Sequence, residues 1–416
     1  MRHTLGLSCA LALALGACSD APSTLSWEAV IDTVGDTVTV RTVAGSVWGD
    51  TAHLEAKVSI GVVEGADEYL IGNPRSIAVG PDGTVYVLDR QVPSVRAYGP
   101  DGLYLRDIGR EGRGPGEYTR PGGIATLPDG RLLVRDPGNA RIMVFGPDGA
   151  YLEQWWLSGT ISTPRRYYVD TTWCSYPTIL FNRFAPLSEW ILGLSRYSPT
   201  GEVLDSLTQP VWDFEAAEIS ATENDANITE PVPFTAAVMW TLSPLGYTIG
   251  GLNSNYRIDL YRPNQPILRI EREWTPVRVL SDERDELRRL LTAQFAQDFP
   301  GWRWNGPPIP ETKPAFRDLF VSWEGNIWVL VSQEAHSTMT VEEAQEIERR
   351  GNLPPLRYQE AAAFDVFQSD GRFLGHVRVP SSFRATPEPI IRGDTVWAVT
   401  RDEMDVATVV RFEVVR

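Results

Sequence analysis

Lysine is almost missing from this sequence. Of 38 basic residues only Lys57 and Lys313 are lysines. Arginine fills every other basic position, which reads as a coding bias rather than a functional signal. Basic charge as a whole is also short: 38 residues stand against 54 acidic ones, a net charge of −16. A nucleic-acid-binding domain carries a basic stripe, so no nucleic-acid partner is expected. Histidine is scarce too. Three remain once a leader is removed, His53, His336 and His376, and they fall on different elements, which argues against a His-rich zinc centre. Cysteine is limited to Cys9, Cys18 and Cys174. Beyond the first residues no segment approaches eighteen apolar residues in a row, so no membrane-spanning helix is expected.

What is present is a globular composition. Apolar residues make up 43% and charged residues 22%, and 14 tryptophans can build a large core. A chain of 416 residues suits two or three average domains, or one large repeat.

The first residues read as an address. Arg2 precedes the apolar run Leu5 to Leu15, too short to span a bilayer as a helix. Leu15-Gly16-Ala17-Cys18 follows and resembles the bacterial lipobox, in which cleavage precedes the cysteine and its thiol takes a lipid. Residues 1–17 are therefore expected to be a signal peptide, with Cys18 lipidated. Ser19 after it resembles lipoproteins sorted to the outer membrane. Residues 18–53 would hold a linker and a hairpin around Val34-Gly35-Asp36. With Cys9 and Cys18 so assigned, only Cys174 is left and no internal disulfide can form.

The body repeats. Gly80-Pro81-Asp82-Gly83 returns as Leu127-Pro128-Asp129-Gly130, and Tyr98-Gly99-Pro100-Asp101-Gly102 as Phe145-Gly146-Pro147-Asp148-Gly149. Both pairs are 47 positions apart (80 to 127, 98 to 145). Between the marks the unit reads as four strands: Gly123 to Thr126, Arg131 to Arg135, Arg141 to Phe145 and Tyr151 to Leu157. Pro-Asp-Gly supplies the turns, with proline presetting φ and glycine accepting positive φ. Four strands in roughly 40–50 residues is the propeller period. Weaker copies follow, such as Ile327-Trp328-Val329-Leu330 and Val396-Trp397-Ala398-Val399 for the second strand. The last copy has three strands, and Leu54 to Ile60 is expected to supply its fourth. The fold class is all-β, a six-bladed β-propeller over residues 54–416 closed by an N-terminal strand.

These residues resemble six-bladed lipoprotein propellers related to NHL repeats. The likeness rests on Ile108-Gly109-Arg110-Glu111-Gly112 through Glu117-Tyr118, on Asp136-Pro137-Gly138-Asn139, and on Phe145-Gly146-Pro147-Asp148-Gly149. It is dense over residues 54–157 and diffuse beyond. It implies a fold more than a function.

Strand order places all long connections on one face, near 274–314 and 333–360 above all. Ser281 to Phe299 carries an apolar helical stripe through Leu287, Leu291 and Phe295, with Ser281 as its cap. Thr340 to Glu343 is a capping box. On the same face Arg75, Arg110, Arg113, Glu117, Arg120, Asp136, Asn139, Trp302 and Trp304 are the candidate binding residues. Converging guanidinium groups suit a carboxylate or phosphate, and Trp with Arg anchors interfaces. The competing reading makes Asp136 and Asn139 turn residues, Arg110 and Glu117 blade ties, and both tryptophans a plug beneath the helix.

No Gly-x-Ser-x-Gly or Walker loop is present. Among resembling propellers, amidating lyases use His-ligated metal and lactonase-like ones hold calcium in the channel with oxygen ligands. Here the inner strands look apolar apart from Asp318. The reading is a monomeric, lipid-anchored, non-catalytic binder of a protein, peptide or glycan in the cell envelope, without a cofactor. The alternative is a calcium-dependent hydrolase or lyase of the lactonase-like kind.

Overall fold

The computed structural model describes residues 26–92, 94–157, 166–181, 191–223, 226–351 and 353–416. The lipidation position Cys18 lies outside them. Six four-stranded blades follow one another along the chain. Blade 1 runs from Pro74–Val79 to Tyr104–Ile108, blade 2 from Gly123–Thr126 to Tyr151–Trp156, and blade 3 from Tyr167–Val169 to Val203–Thr208. Blade 4 runs from Val238–Leu242 to Ile267–Arg272, and blade 5 from Phe316–Val321 to Phe373–Arg378. Blade 6 takes Ile390–Arg392, Thr395–Arg401 and Ala407–Val415 from the C-terminus. Its outermost strand, Ala52–Ile60, comes from the N-terminus and pairs antiparallel with Ala407–Val415. The expected closure by both chain ends is therefore present, and it hides strand edges that would otherwise pair with other chains.

Recurring turn chemistry forms the blades. Asp82, Asp101, Asp129 and Asp148 each accept the backbone N–H two residues on. The following glycine sits at φ +84° to +88° in all four, a region that costs other residues their Cβ clearance. In later blades Ser243 and Ser322 take over the acceptor role. The geometry persists where the Pro-Asp-Gly spelling does not. Six hydrophobic clusters fill the junctions between neighbouring blades. Blades 1 and 2 share Tyr86, Leu88, Val134 and Met143, for example.

The N-terminal hairpin has an unforeseen place. Its strands, Glu28–Val34 and Thr37–Ala44, extend blade 4, because the second pairs parallel with Ile267–Arg272. Trp27 donates its indole N–H to Thr42, and Thr42 lies opposite Arg272. The chain thus joins the ring at the end of that strand from which the 273–315 connection departs.

Both expected helices are present, as Ser281–Asp298 and Val341–Arg349. Thr340 caps the second, accepting from the Glu343 N–H at 3.2 Å. The first begins differently from expectation. Ser281 is already helical, and the preceding Leu280 N–H is satisfied by the Glu283 carboxylate at 3.3 Å. Among the described residues no helix is long and apolar enough to cross a membrane.

Candidate ligand site in the central channel

Connections from the fourth strand of one blade to the first of the next share a face with the loops between second and third strands. The described insertions between blades 3 and 4, between blades 4 and 5 and within blade 5 therefore lie on one face, and they bond to one another. Trp302 donates to the Ser220 carbonyl at 2.8 Å and stacks on Phe295 with ring centroids 4.4 Å apart. Trp304 donates to the Gly306 and Pro307 carbonyls. Both rings pack with Ile219, Val232, Phe295 and Phe299 in a seventh apolar cluster. Beside it lies a buried ionic network. Lys313, 1% exposed, sits 2.9 Å from Glu283 and 3.0 Å from Glu360. Arg357 pairs with Glu286 of the same helix. Glu283 and Glu286, both buried, stand in a helix whose residue pattern marks neither as a core position.

The other candidates from the sequence lie mostly around blades 1 and 2. Arg110 pairs with Glu117 at 2.8 Å, and Glu117 accepts the Gly114 N–H. Those bonds hold the Glu117 carboxyl below its usual range, the Gly114 N–H first and the Arg110 pair second. Asp136 is fully buried; it accepts the N–H groups of Thr119 and Arg120 and the amide of Asn139. Asn139 also reaches the Gly112 carbonyl. Arg113 lies in the same loop and is exposed. Arg75 is the one candidate that faces the channel.

That channel contains a cavity of about 800 Å³ walled by the first strands of all six blades. Aromatic walls come from Tyr167, Tyr168, Trp240 and Trp323. It is not the apolar channel expected from the inner strands. Arg166 extends from the start of blade 3 and is bracketed by two carboxylates, Asp318 at 2.7 Å and Glu388 at 3.2 Å. It also donates to the Leu319 carbonyl at 2.6 Å and lies 4.5 Å over the Phe320 ring. Burial pushes the Glu388 carboxyl up to about 7; Arg166 opposes the shift and Asp318 adds to it. Burial works against the Arg166 charge, but Glu388 and Asp318 more than offset it, so its pKa is raised. Burial likewise lifts the Tyr168 hydroxyl to about 12. On the blade 1 and 2 side, burial lowers Arg75, with Arg90 repelling it, and lowers Arg135 to about 10. Sequence reasoning missed Arg166 and Glu388. Each lies in a connection, where no strand pattern marks a residue as channel-facing.

A calcium ion would need several oxygen ligands free to converge. Here the two channel carboxylates already clasp a guanidinium between them. Among the described residues no group of three or more His, Cys, Asp or Glu converges. This donor set does not fit calcium.

Comparisons with known proteins agree on the architecture. A family model described as a 6-bladed beta-propeller, DUF5128, matches residues 62–155. No curated protein matches the sequence significantly. Among solved structures, a member of the DUF4221 family from Bacteroides vulgatus is similar at TM-score 0.53 and 9% identity, over 88% of this chain and 99% of that one. A streptogramin B lyase aligns at TM-score 0.42 and 10% identity, over 88% and 98% of the two chains. A virginiamycin B lyase from Staphylococcus aureus aligns at 0.40 and 11%, over 82% and 95%. At 9% identity the likeness to the DUF4221 member carries the fold alone. The chain is a six-bladed β-propeller.

Proposed function

We propose that this protein is a non-catalytic binding propeller outside the cytoplasm, anchored by a lipid on Cys18. It takes part of a protein, peptide or glycan partner into its channel from the insertion-bearing face. The observation that carries this reading is the cavity of about 800 Å³, with aromatic walls and a few placed charges, the usual make-up of a ligand site. The tryptophans first assigned to partner contact are engaged in packing, which moves the reading from the loop surface to the channel.

Two measurements test it. Calorimetric titration of the chain from Trp27 onward against peptide and oligosaccharide pools should give saturable binding that weakens in a Trp240→Ala variant. Binding unchanged in that variant would return the site to the loops. Elemental mass spectrometry addresses the calcium-dependent alternative. One calcium per chain, removable by chelator together with lactone hydrolysis, would establish that alternative instead. Mass analysis of the membrane-bound form should find a diacylglyceryl group on Cys18, and Cys18→Ala should release the protein.

A further inference from the structure

The charges on the channel wall are already engaged. Arg166 is clasped by Asp318 and Glu388, and Arg317 lies 3.2 Å from Glu360. Arg392 donates to the carbonyls of Val79 and Gly80, and the charge of Glu324 acts on it. Arg75 is engaged as well. A charged ligand would lose its hydration here without an unpaired counterpart to replace it, which is costly. The wall backbone is also taken. In blade 1 the Val79 carbonyl accepts from Thr126 and from Arg392, both at 2.7 Å. In blade 2 the Ile124 N–H donates to the Ser76 hydroxyl at 3.2 Å, and in blade 5 the Leu319 carbonyl accepts from Arg166 at 2.6 Å. A peptide added to a strand edge binds through such main-chain groups, and in these three blades they are occupied.

What the wall still offers is aromatic surface and one partly open ion pair. Tyr167, Tyr168, Trp240 and Trp323 line the cavity from blades 3, 4 and 5, and each is half-buried. An aromatic face is electron-rich, so it suits the weakly positive C–H groups of a sugar ring laid flat against it. Asp318 stands on the same side with its side chain 38% exposed, 2.7 Å from Arg166. A carboxylate only accepts hydrogen bonds and a guanidinium only donates them. Adjacent sugar hydroxyls do both, and they meet such a pair without adding charge. We infer that the channel takes an uncharged saccharide, its rings against these aromatics and its hydroxyls on the Arg166–Asp318 pair. This rests on the proposal that the channel is the binding site, and it selects the glycan among the ligand classes proposed for it.

The test is retention of the chain from Trp27 onward on an array of immobilised neutral, acidic and amino-sugar glycans. Calorimetry with the free form of the best-retained neutral glycan follows. Neutral glycans should be retained, and affinity should hold as sodium chloride is raised, because no ligand charge is there to be screened. The melting temperature should rise with the sugar. Trp240→Ala and Asp318→Ala should each weaken binding several-fold. Trp240→Phe keeps a ring in place and should bind with intermediate affinity, which separates lost stacking from lost folding. Retention of charged glycans alone, or of none, overturns the saccharide. Capped, uncharged peptides bound in its place, and released by Trp240→Ala, would leave the channel as the binding site for a different ligand. Sugar binding unchanged in Trp240→Ala and Asp318→Ala would take the site out of the channel and overturn both readings.

Discussion

The loops of blades 1 and 2 and the insertions of blades 3 to 5 occupy the same face but are ordered by different means. In the first two blades a short-range rule operates. Asp89 and Asp136 end the second strand of each blade and bind backbone N–H groups of the connection arriving from the previous blade. Each bond spans less than half a repeat of sequence. The insertions instead rely on pairs far apart in the chain, such as Arg357 with Glu286 and Trp302 with Ser220. A backbone-capping carboxylate can be copied with the repeat. A buried ion pair between two insertions must be fitted once, for one site. The difference predicts that the scaffold and the elaborated face of this ring have separable energetics.

Removing the Lys313 charge should break that contrast most strongly. Lys313→Met leaves Glu283 and Glu360 buried without a central cation, at a cost of about 3–5 kcal/mol. Hydrogen exchange should show protection lost in 281–314 and 332–360 while blade 1 and 2 amides hold. Equal loss throughout would show that the two regions form one cooperative unit. Asp136→Ala is the counterpart on the regular side. It strands the Thr119 and Arg120 N–H groups, and urea unfolding should register about 2–3 kcal/mol. The channel gives a third, pH-dependent contrast. Folding raises the Glu388 carboxyl from 4.5 to about 7. Its stabilisation is complete below about 4.5 and is lost as pH rises through about 7. Across that window the unfolding free energy of the native chain in urea should fall more steeply than that of Glu388→Gln, by about 1–2 kcal/mol. A parallel pair of curves would place the titration elsewhere. The smallest effect concerns the turns. Gly130 at φ +88° would bring a Cβ within 3.1 Å of Pro147, whereas Gly246 at φ +84° meets nothing closer than 4.0 Å. Gly246→Ala should cost about 1 kcal/mol from the backbone alone, and Gly130→Ala measurably more. Equal melting shifts would mean that Pro147 yields freely.

The same division explains what could be read from the chain. Strand bounds in blade 2 were legible almost to the residue, because Asp129 and Asp148 act on neighbours two positions away. The closing strand was legible because a ring of three-stranded and four-stranded copies leaves one vacancy. The channel cluster was not. Arg166 and Glu388 meet across 222 positions (388 − 166), and neither falls within a strand. The cap of the first helix was misread for a related reason. Glu283 serves both the Leu280 N–H and Lys313, and only the second partner explains why that carboxylate is buried.

The N-terminal hairpin fixes the point at which the chain enters the ring. Trp27 is fixed beside Thr42 on the insertion-bearing side of blade 4. From Cys18 to Ser26 the leash has nine residues, which at full extension reach ~30 Å. Were Cys18 lipidated as proposed above, that leash would keep Trp27 within ~30 Å of the bilayer surface.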